Sequence, residues 1–105
     1  MVRKYAANLV RTLRRERVFA LVLAVVVIIL LGATGFTLTE PRQGTWLQQF
    51  GLGAWWALIT LTTVGYGDVV PVTTLGRLVG SAVILGGVVT LALVTATVAS
   101  VFIEQ

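Results

Sequence analysis

The sequence predicts an all-α membrane protein with two transmembrane helices and a shorter re-entrant helix between them. The first observation is composition: of 105 residues, 57% are apolar and only 11% are charged, whereas soluble domains average about 45–50% apolar and about 25% charged residues. The second is a pair of long uncharged stretches, each matching the roughly 20 residues that cross a bilayer. The third is an apolar stretch between them that is too short to cross.

The outer spanning helix is predicted at residues 18–38, which contain no charged side chain. A secretory signal peptide is the alternative, because basic residues precede this stretch and small residues follow it. The stretch is longer than the usual apolar region of about 7–15 residues in signal peptides, so a spanning helix is favoured.

The inner spanning helix is predicted at residues 74–103, with Thr74 near its start. A connecting segment at 39–50, in which Gln48 and Gln49 are expected to be exposed, leads into a helix at 51–62. That helix would be about 18 Å long, less than the roughly 30 Å of hydrocarbon. The irregular backbone that follows must be buried in protein or face a water-filled cavity.

Basic residues predict the orientation. Six precede the first span: Arg3, Lys4, Arg11, Arg14, Arg15 and Arg17. Only Arg42 and Arg77 lie between the two uncharged stretches, 18–38 and 78–103, which predicts a multi-pass protein with both termini in the cytoplasm. For the cytoplasmic segment 1–17 two interpretations stay open: a solvated basic run, or an interfacial helix on anionic lipid.

The chain has no Cys and no His, which excludes disulfides, thiol chemistry and imidazole bases. Its acidic residues are too scattered in sequence to form a paired-carboxylate site: Glu16, Glu40, Asp68 and Glu104. We therefore expect neither an enzyme nor a cofactor, and no nucleic-acid partner.

Residues 62–68 read Thr-Thr-Val-Gly-Tyr-Gly-Asp. Gly65 and Gly67 permit positive φ at alternate positions, so the backbone can direct carbonyls towards one axis. One chain supplies one strip of oxygens, and several copies are needed to surround an ion. A tight turn is the alternative for these residues, and the short helix before them and the span on each side disfavour it.

The string resembles the selectivity filter of potassium channels, and residues 18–105 resemble the pore domain of prokaryotic potassium channels with two transmembrane helices. The resemblance implies a turret at 39–50, a pore helix at 51–62 and a homotetramer in the cell membrane. It implies a selectivity filter at residues 63–67, in which K⁺ as the permeant ion is coordinated by Thr63, Val64, Gly65, Tyr66 and Gly67.

The resemblance also implies residues that support the filter: Trp55, Trp56, Thr62 and Asp68. Tyr66 is expected to pack against pore-helix aromatics, with Trp56 and Asp68 as hydrogen-bonding partners behind the filter. For Asp68 a solvated position at the outer mouth is the alternative. One departure is Ile59, which stands where some channels carry a glutamate that pairs with the aspartate after the filter.

In the inner helix, the resemblance places a gating hinge at Gly87, in mid-membrane. Leu91, Thr95 and Ala99 follow at four-residue spacing along an expected cavity stripe. Close packing of Gly86 and Gly87 is the alternative to a hinge. Glu104 would add a carboxylate at the cytoplasmic mouth, although a solvated acid is favoured there.

Three other functions are compatible with parts of the sequence. The chain could be the pore module of a larger ligand-gated potassium channel, a subunit of a potassium transporter, or a simple helical hairpin. Chains of potassium transporters usually have four helix-loop-helix units and a single filter glycine, whereas this chain has one unit and Gly-Tyr-Gly. A helical hairpin would not explain the filter string. No repeat of arginines lies in a span, so these residues contain no voltage sensor.

Overall fold

A computed structural model describes residues 2–103, and these form three helices and no strand. They are α1 (Val2–Thr39), α2 (Trp46–Leu61) and α3 (Thr74–Ile103). Both α1 and α3 are long and apolar enough to cross a membrane. The all-α class with two apolar helices and a shorter one between them is therefore confirmed.

Helix α1 includes the basic segment that the sequence separated from the outer span. Its 38 residues correspond to about 57 Å of helix, close to the 61 Å long dimension of the molecule. The basic turns therefore continue the axis of the span, and the helix begins well before residue 18, where the sequence predicted the span to begin. The reason is that residues 2–31 contain neither Gly nor Pro, so the charges interrupt the apolar pattern without ending the helix.

Helix α2 begins at Trp46 and not at residue 51. Thr45 accepts a hydrogen bond from the Gln48 backbone N–H at 3.2 Å, and the Gln48 side chain accepts one from the Thr45 N–H at 3.0 Å. This capping box satisfies two donors at the helix start. The connection is therefore shorter than expected. At 16 residues, or about 24 Å, α2 is still too short to cross the hydrocarbon.

Gln49 is buried and not exposed as expected, with 1% of its surface accessible. Its Nε2 donates to the Pro41 carbonyl at 3.2 Å, and its Oε1 accepts from the Gln43 backbone N–H at 3.2 Å. The side chain thus replaces water for the backbone of the short connection between α1 and α2.

Helices α1 and α3 run antiparallel, since later residues of α1 contact earlier residues of α3, and α2 packs against both. The core there contains Phe36, Trp56, Ala57 and Val83. The rings of Phe36 and Trp56 lie with centroids 5.5 Å apart. A Cβ on Gly53 would stand only 3.0 Å from the Ala33 backbone, so a glycine is what lets α2 approach α1 this closely.

A buried acid, Glu40, joins the end of α1 to the start of α3. Its carboxylate accepts hydrogen bonds from the backbone N–H groups of Val72 and Thr73 and from the Thr73 hydroxyl. Gly76 leaves the room for it, because a Cβ there would overlap the carboxylate. Burial raises the pKa of Glu40, but these hydrogen bonds outweigh burial and hold the pKa below its ordinary value.

Candidate functional site

The loop at residues 63–67 follows directly from the end of α2. The Thr63 N–H donates to the Thr60 carbonyl at 3.1 Å, and the Gly65 N–H donates to the Ile59 carbonyl at 3.0 Å. The Thr62 hydroxyl donates to the Leu58 carbonyl at 2.8 Å. The last turn of α2 therefore anchors the first residues of the loop, which places the negative end of the helix dipole beside Thr63.

Positive φ occurs at alternate residues of this loop: 65° at Thr63, 56° at Gly65 and 82° at Gly67. Glycine adopts such angles without strain, whereas threonine rarely does. The sequence indicated the two glycines but not Thr63. A non-glycine residue held at positive φ is typical of functional sites, where the surroundings fix an unfavourable conformation.

The side chains of the loop are exposed in the single chain. Tyr66 has 69% of its surface accessible and Val64 has 52%. Large apolar side chains at this exposure, on a backbone fixed at unusual angles, indicate a surface that another molecule covers.

Trp55 holds the loop from behind. Its indole N–H donates to Asp68 Oδ2 at 2.9 Å. Its ring also stacks on Tyr66, with the centroids 6.0 Å apart and the planes 4° from parallel, an offset arrangement that aromatic pairs favour. One side chain of α2 thus contacts both the loop and the residue that follows it.

Trp56 has different surroundings from Trp55, and its expected hydrogen-bonding role behind the filter stays a prediction. Within the chain its ring packs on Phe36, is 4% accessible and belongs to the core between the helices. Successive residues of a helix point about 100° apart, so Trp55 faces the loop while Trp56 faces α1 and α3. Ile59 is buried at 4% accessible surface, and the hydrogen-bond donor to Asp68 is Trp55.

Below the loop, α3 contributes an open concave surface lined by Thr63, Val88, Leu91, Ala92, Thr95, Ala96 and Ala99. It includes all three residues of the expected cavity stripe. Thr63 closes its upper end, so the loop and the stripe face one continuous space. Glu104 lies outside the described residues.

Gly87 lies against the end of α2, and α3 is helical through this position. A Cβ on Gly87 would stand 2.8 Å from Leu61 Cα and 2.9 Å from the Leu61 carbonyl oxygen. Gly86, in contrast, faces Ile28, whose nearest atom would be 3.4 Å away, an ordinary contact. The two adjacent glycines therefore have different surroundings, and only Gly87 permits close contact between the backbones of α3 and α2.

Sequence reasoning missed Glu40, which fixes the chain between the loop and α3. No local pattern marks it, because its partners lie 32 and 33 residues away. The Thr45-x-x-Gln48 cap, by contrast, is a readable signal for the start of α2.

Residues 16–104 match the family described as Ion channel. A voltage-gated potassium channel of Aeropyrum pernix is 36% identical over 100 residues, which is 94% of this chain and 34% of that protein. A putative potassium channel protein of Rhodopseudomonas palustris is 54% identical over 50 residues, which is 48% of this chain and 12% of that protein. The chain thus spans only 34% and 12% of the length of these two relatives.

Two solved structures have a similar fold. A voltage-gated K⁺ channel pore module in a closed state in lipid membranes, in a tetragonal crystal form, gives a TM-score of 0.65 at 31% identity, covering 79% of this chain and 87% of that one. A voltage-gated K⁺ channel pore domain in a closed state gives 0.61 at 32% identity, covering 88% and 98%.

These matches define the class of protein: a membrane-embedded ion-channel pore, which is not an enzyme. This chain belongs to the ion-channel family over residues 16–104. The resemblance to a potassium-channel pore domain that the filter string indicated is confirmed.

Proposed function

We propose that this chain is the pore-forming subunit of a potassium-selective channel in the cell membrane. Four copies surround a common axis, and K⁺ passes along that axis down its electrochemical gradient. The observation that carries the proposal is the exposed loop at 63–67, whose backbone has positive φ at alternate residues and is held from behind by Trp55.

Selectivity arises from the oxygens of this loop. The backbone carbonyls from Thr63 to Gly67 and the Thr63 hydroxyl are uncharged ligands, which replace the hydration shell of K⁺ when they form rings around the axis. One chain reaches an ion from one side only. A symmetric ring of identical chains completes each shell, and this also covers the exposed faces of Val64 and Tyr66.

The surroundings of the loop serve conduction in two ways. The contacts of Trp55, Thr62 and Asp68 hold the loop against collapse when an ion leaves. The C-terminal end of α2 directs partial negative charge at the space below Thr63, where a cation enters or leaves the filter. Leu91, Thr95 and Ala99 line that space as the inner cavity.

Opening requires movement of α3 below the filter. Gly87 is the proposed hinge, since glycine weakens a helix in its interior. Gly87 also lies against the Leu61 backbone. A bend of α3 at Gly87 therefore occurs at the point where α3 contacts the end of α2.

The basic first turns of α1 lie in the cytoplasm, and with them both termini. Cytoplasmic segments of membrane proteins carry the excess of Lys and Arg. These positive charges interact with anionic lipid headgroups at the inner surface.

The experiment is a measurement of ion selectivity on the reconstituted protein. Under bi-ionic K⁺ and Na⁺, the reversal potential should indicate a permeability ratio strongly in favour of K⁺. Chemical cross-linking in detergent should produce a four-chain species. A reversal potential near zero would show that the loop is not a potassium filter, and a selective monomer would exclude the four-fold ring.

A further inference from the structure

The first turns of α1 extend beyond the end of α3. Gly32 of α1 faces Val83 of α3, and the two helices are antiparallel. An equal number of residues along each helix places Ile103, the last described residue of α3, level with about residue 12 of α1. Every residue from 2 to 11 is exposed, so no other helix of the described chain covers this segment.

An apolar stripe runs along one side of this segment. Its members follow i, i+3, i+4 and i+7 spacing and lie within about 100° of one another around the helix; we call Val2, Tyr5, Ala6 and Leu9 the N-terminal stripe. Val2, Tyr5 and Leu9 expose 82%, 71% and 60% of their surface. This is the spacing of the anchor residues with which an amphipathic helix enters an apolar groove of another protein.

Positive charge surrounds the N-terminal stripe. Residues 2–17 contain six basic side chains and one acid, which gives a net charge of +5. At about 100° per residue, Lys4 and Arg11 lie about 130–150° from the middle of the stripe on one side, and Arg3 lies about 130° from it on the other. Glu16 is in line with the stripe, about two turns beyond its last member. A groove that accepts the stripe is therefore complementary in charge if its rim is acidic.

Neither the bilayer nor a second copy of the chain fits the N-terminal stripe. Helix α1 continues along the axis of the outer span, so Leu9 lies about 14 Å and Tyr5 about 20 Å beyond Val18, where the uncharged stretch begins. The headgroup region extends only roughly 5–8 Å past the hydrocarbon. Pairing of two such segments would bring a net charge of +5 against +5, and like charges repel across an interface.

We infer that the N-terminal stripe is a docking site for a protein that has an apolar groove bordered by acidic residues. The stripe side chains enter the groove as anchors, and Lys4 and Arg11 pair with carboxylates of the rim. Residues 2–31 contain neither Gly nor Pro, so continuous helix joins a bound partner to the outer span. The cytoplasmic location of the partner rests on the orientation proposed above, whereas docking itself is independent of which ion the pore conducts.

Binding of calmodulin as a probe tests this site, with the full chain in nanodiscs of neutral phosphatidylcholine. Calmodulin binds basic amphipathic helices in an apolar groove that Ca²⁺ opens, so its Ca²⁺-free form is the control without a groove. The unmodified chain should bind the Ca²⁺-loaded form with a Kd below about 10 μM and the Ca²⁺-free form at least about tenfold more weakly.

Two neighbouring substitutions test the stripe. Leu9→Ser should weaken binding of Ca²⁺-loaded calmodulin at least about tenfold. Val10→Ser is the matched control, because Val10 is also apolar and exposed but points about 100° away from Leu9; it should bind like the unmodified chain. Tyr5→Ser gives the same test one turn earlier. Absence of binding, or equal binding by Leu9→Ser and the unmodified chain, would overturn the inference, since attraction would then be electrostatic alone.

Two further measurements examine the charges and the bilayer. Replacing both Lys4 and Arg11 with Gln should weaken binding about fivefold, mainly through slower association. Because the chain has no Cys, a fluorophore attached to the variant Ala6→Cys reports on the stripe alone. Brominated phosphatidylcholine should not quench this fluorophore, even in discs that also contain phosphatidylglycerol. Quenching would place the stripe on the membrane and would overturn docking to a protein.

Discussion

The indole N–H of Trp55 donates a hydrogen bond to the Asp68 carboxylate at 2.9 Å, across the 13 residues that contain the filter loop. The same indole ring stacks on Tyr66. The loop is therefore enclosed between its own helix and the residue that follows it. Its conformation depends on side-chain contacts as well as on the backbone angles of its glycines.

Replacing Trp55 with Phe should remove the hydrogen bond to Asp68 while keeping an aromatic ring against Tyr66. We expect a loss of roughly 1.5–3 kcal/mol from the stability of the loop, as for other hydrogen bonds to a charged acceptor. Sustained K⁺ flux into vesicles should fall. Trp46→Phe, at the exposed start of α2, is the control and should leave flux unchanged; unchanged flux in both variants would contradict a supporting role for Trp55.

Replacing Tyr66 with Asp should remove the stacked ring and place a charge beside the loop. The outer oxygen rings should loosen and admit Na⁺, so the bi-ionic reversal potential should move towards zero. Leu47→Ala is the control because Leu47 is exposed on α2. Gln48 and Gln49 are unsuitable controls, since one caps α2 and the other is buried. A reversal potential that does not move in Tyr66→Asp would refute the filter assignment.

Replacing Glu40 with Gln should destabilise the protein by about 1–3 kcal/mol, because backbone donors of Val72 and Thr73 would lose a charged acceptor inside the structure. Thermal unfolding of the detergent-solubilised protein measures this. Glu16→Gln removes an exposed acid and should have little effect. Equal unfolding temperatures for the two variants would mean that Glu40 contributes nothing at this junction.

The lowered pKa of Glu40 predicts a direction for the effect of acid. A carboxylate with a folded pKa below its unfolded value contributes full stabilisation above the unfolded pKa, about 4.3 for a glutamate. That contribution declines as the pH falls through this value towards the lowered folded pKa. The unfolding temperature of the unmodified protein should therefore fall across this window, and Glu40→Gln should show a smaller decline. Parallel curves would assign the acid sensitivity to other groups.

Two separate variants, Gly86→Ala and Gly87→Ala, should show whether Gly87 acts as a hinge or as a close-packing residue. Both substitutions stiffen the helix by about 0.5–1 kcal/mol, but only the Gly87 methyl meets the Leu61 backbone. A hinge predicts lower open probability for both variants in single-channel recordings. Packing predicts a defect in Gly87→Ala alone, together with altered selectivity, since Leu61 precedes the filter loop.

The sequence predicted the class of fold well because the length of each apolar stretch distinguishes a helix that spans the membrane from one that is too short to do so. The residues of the filter loop, 63–67, were also recognisable, since their string is local. The expected hydrogen-bonding role of Trp56 behind the filter stays a prediction. Adjacent tryptophans look equivalent in sequence, whereas the helix turns Trp55 to the loop and Trp56 to the core of the chain. The Glu40 contacts could not be predicted, since they depend on how close two distant segments approach. For Gly87 the sequence offered close packing as an alternative, but it did not indicate Leu61 as the partner.

The exposure of the 63–67 loop in a single chain has a consequence for mixtures of normal and altered subunits. In the proposed ring the conduction path belongs to the assembly, and each copy contributes one wall of every ion site. One altered loop therefore disturbs every site of any ring that includes it. When two versions of the chain are co-expressed, a defective filter should behave as a dominant trait, and current should decline more steeply than the fraction of normal subunits.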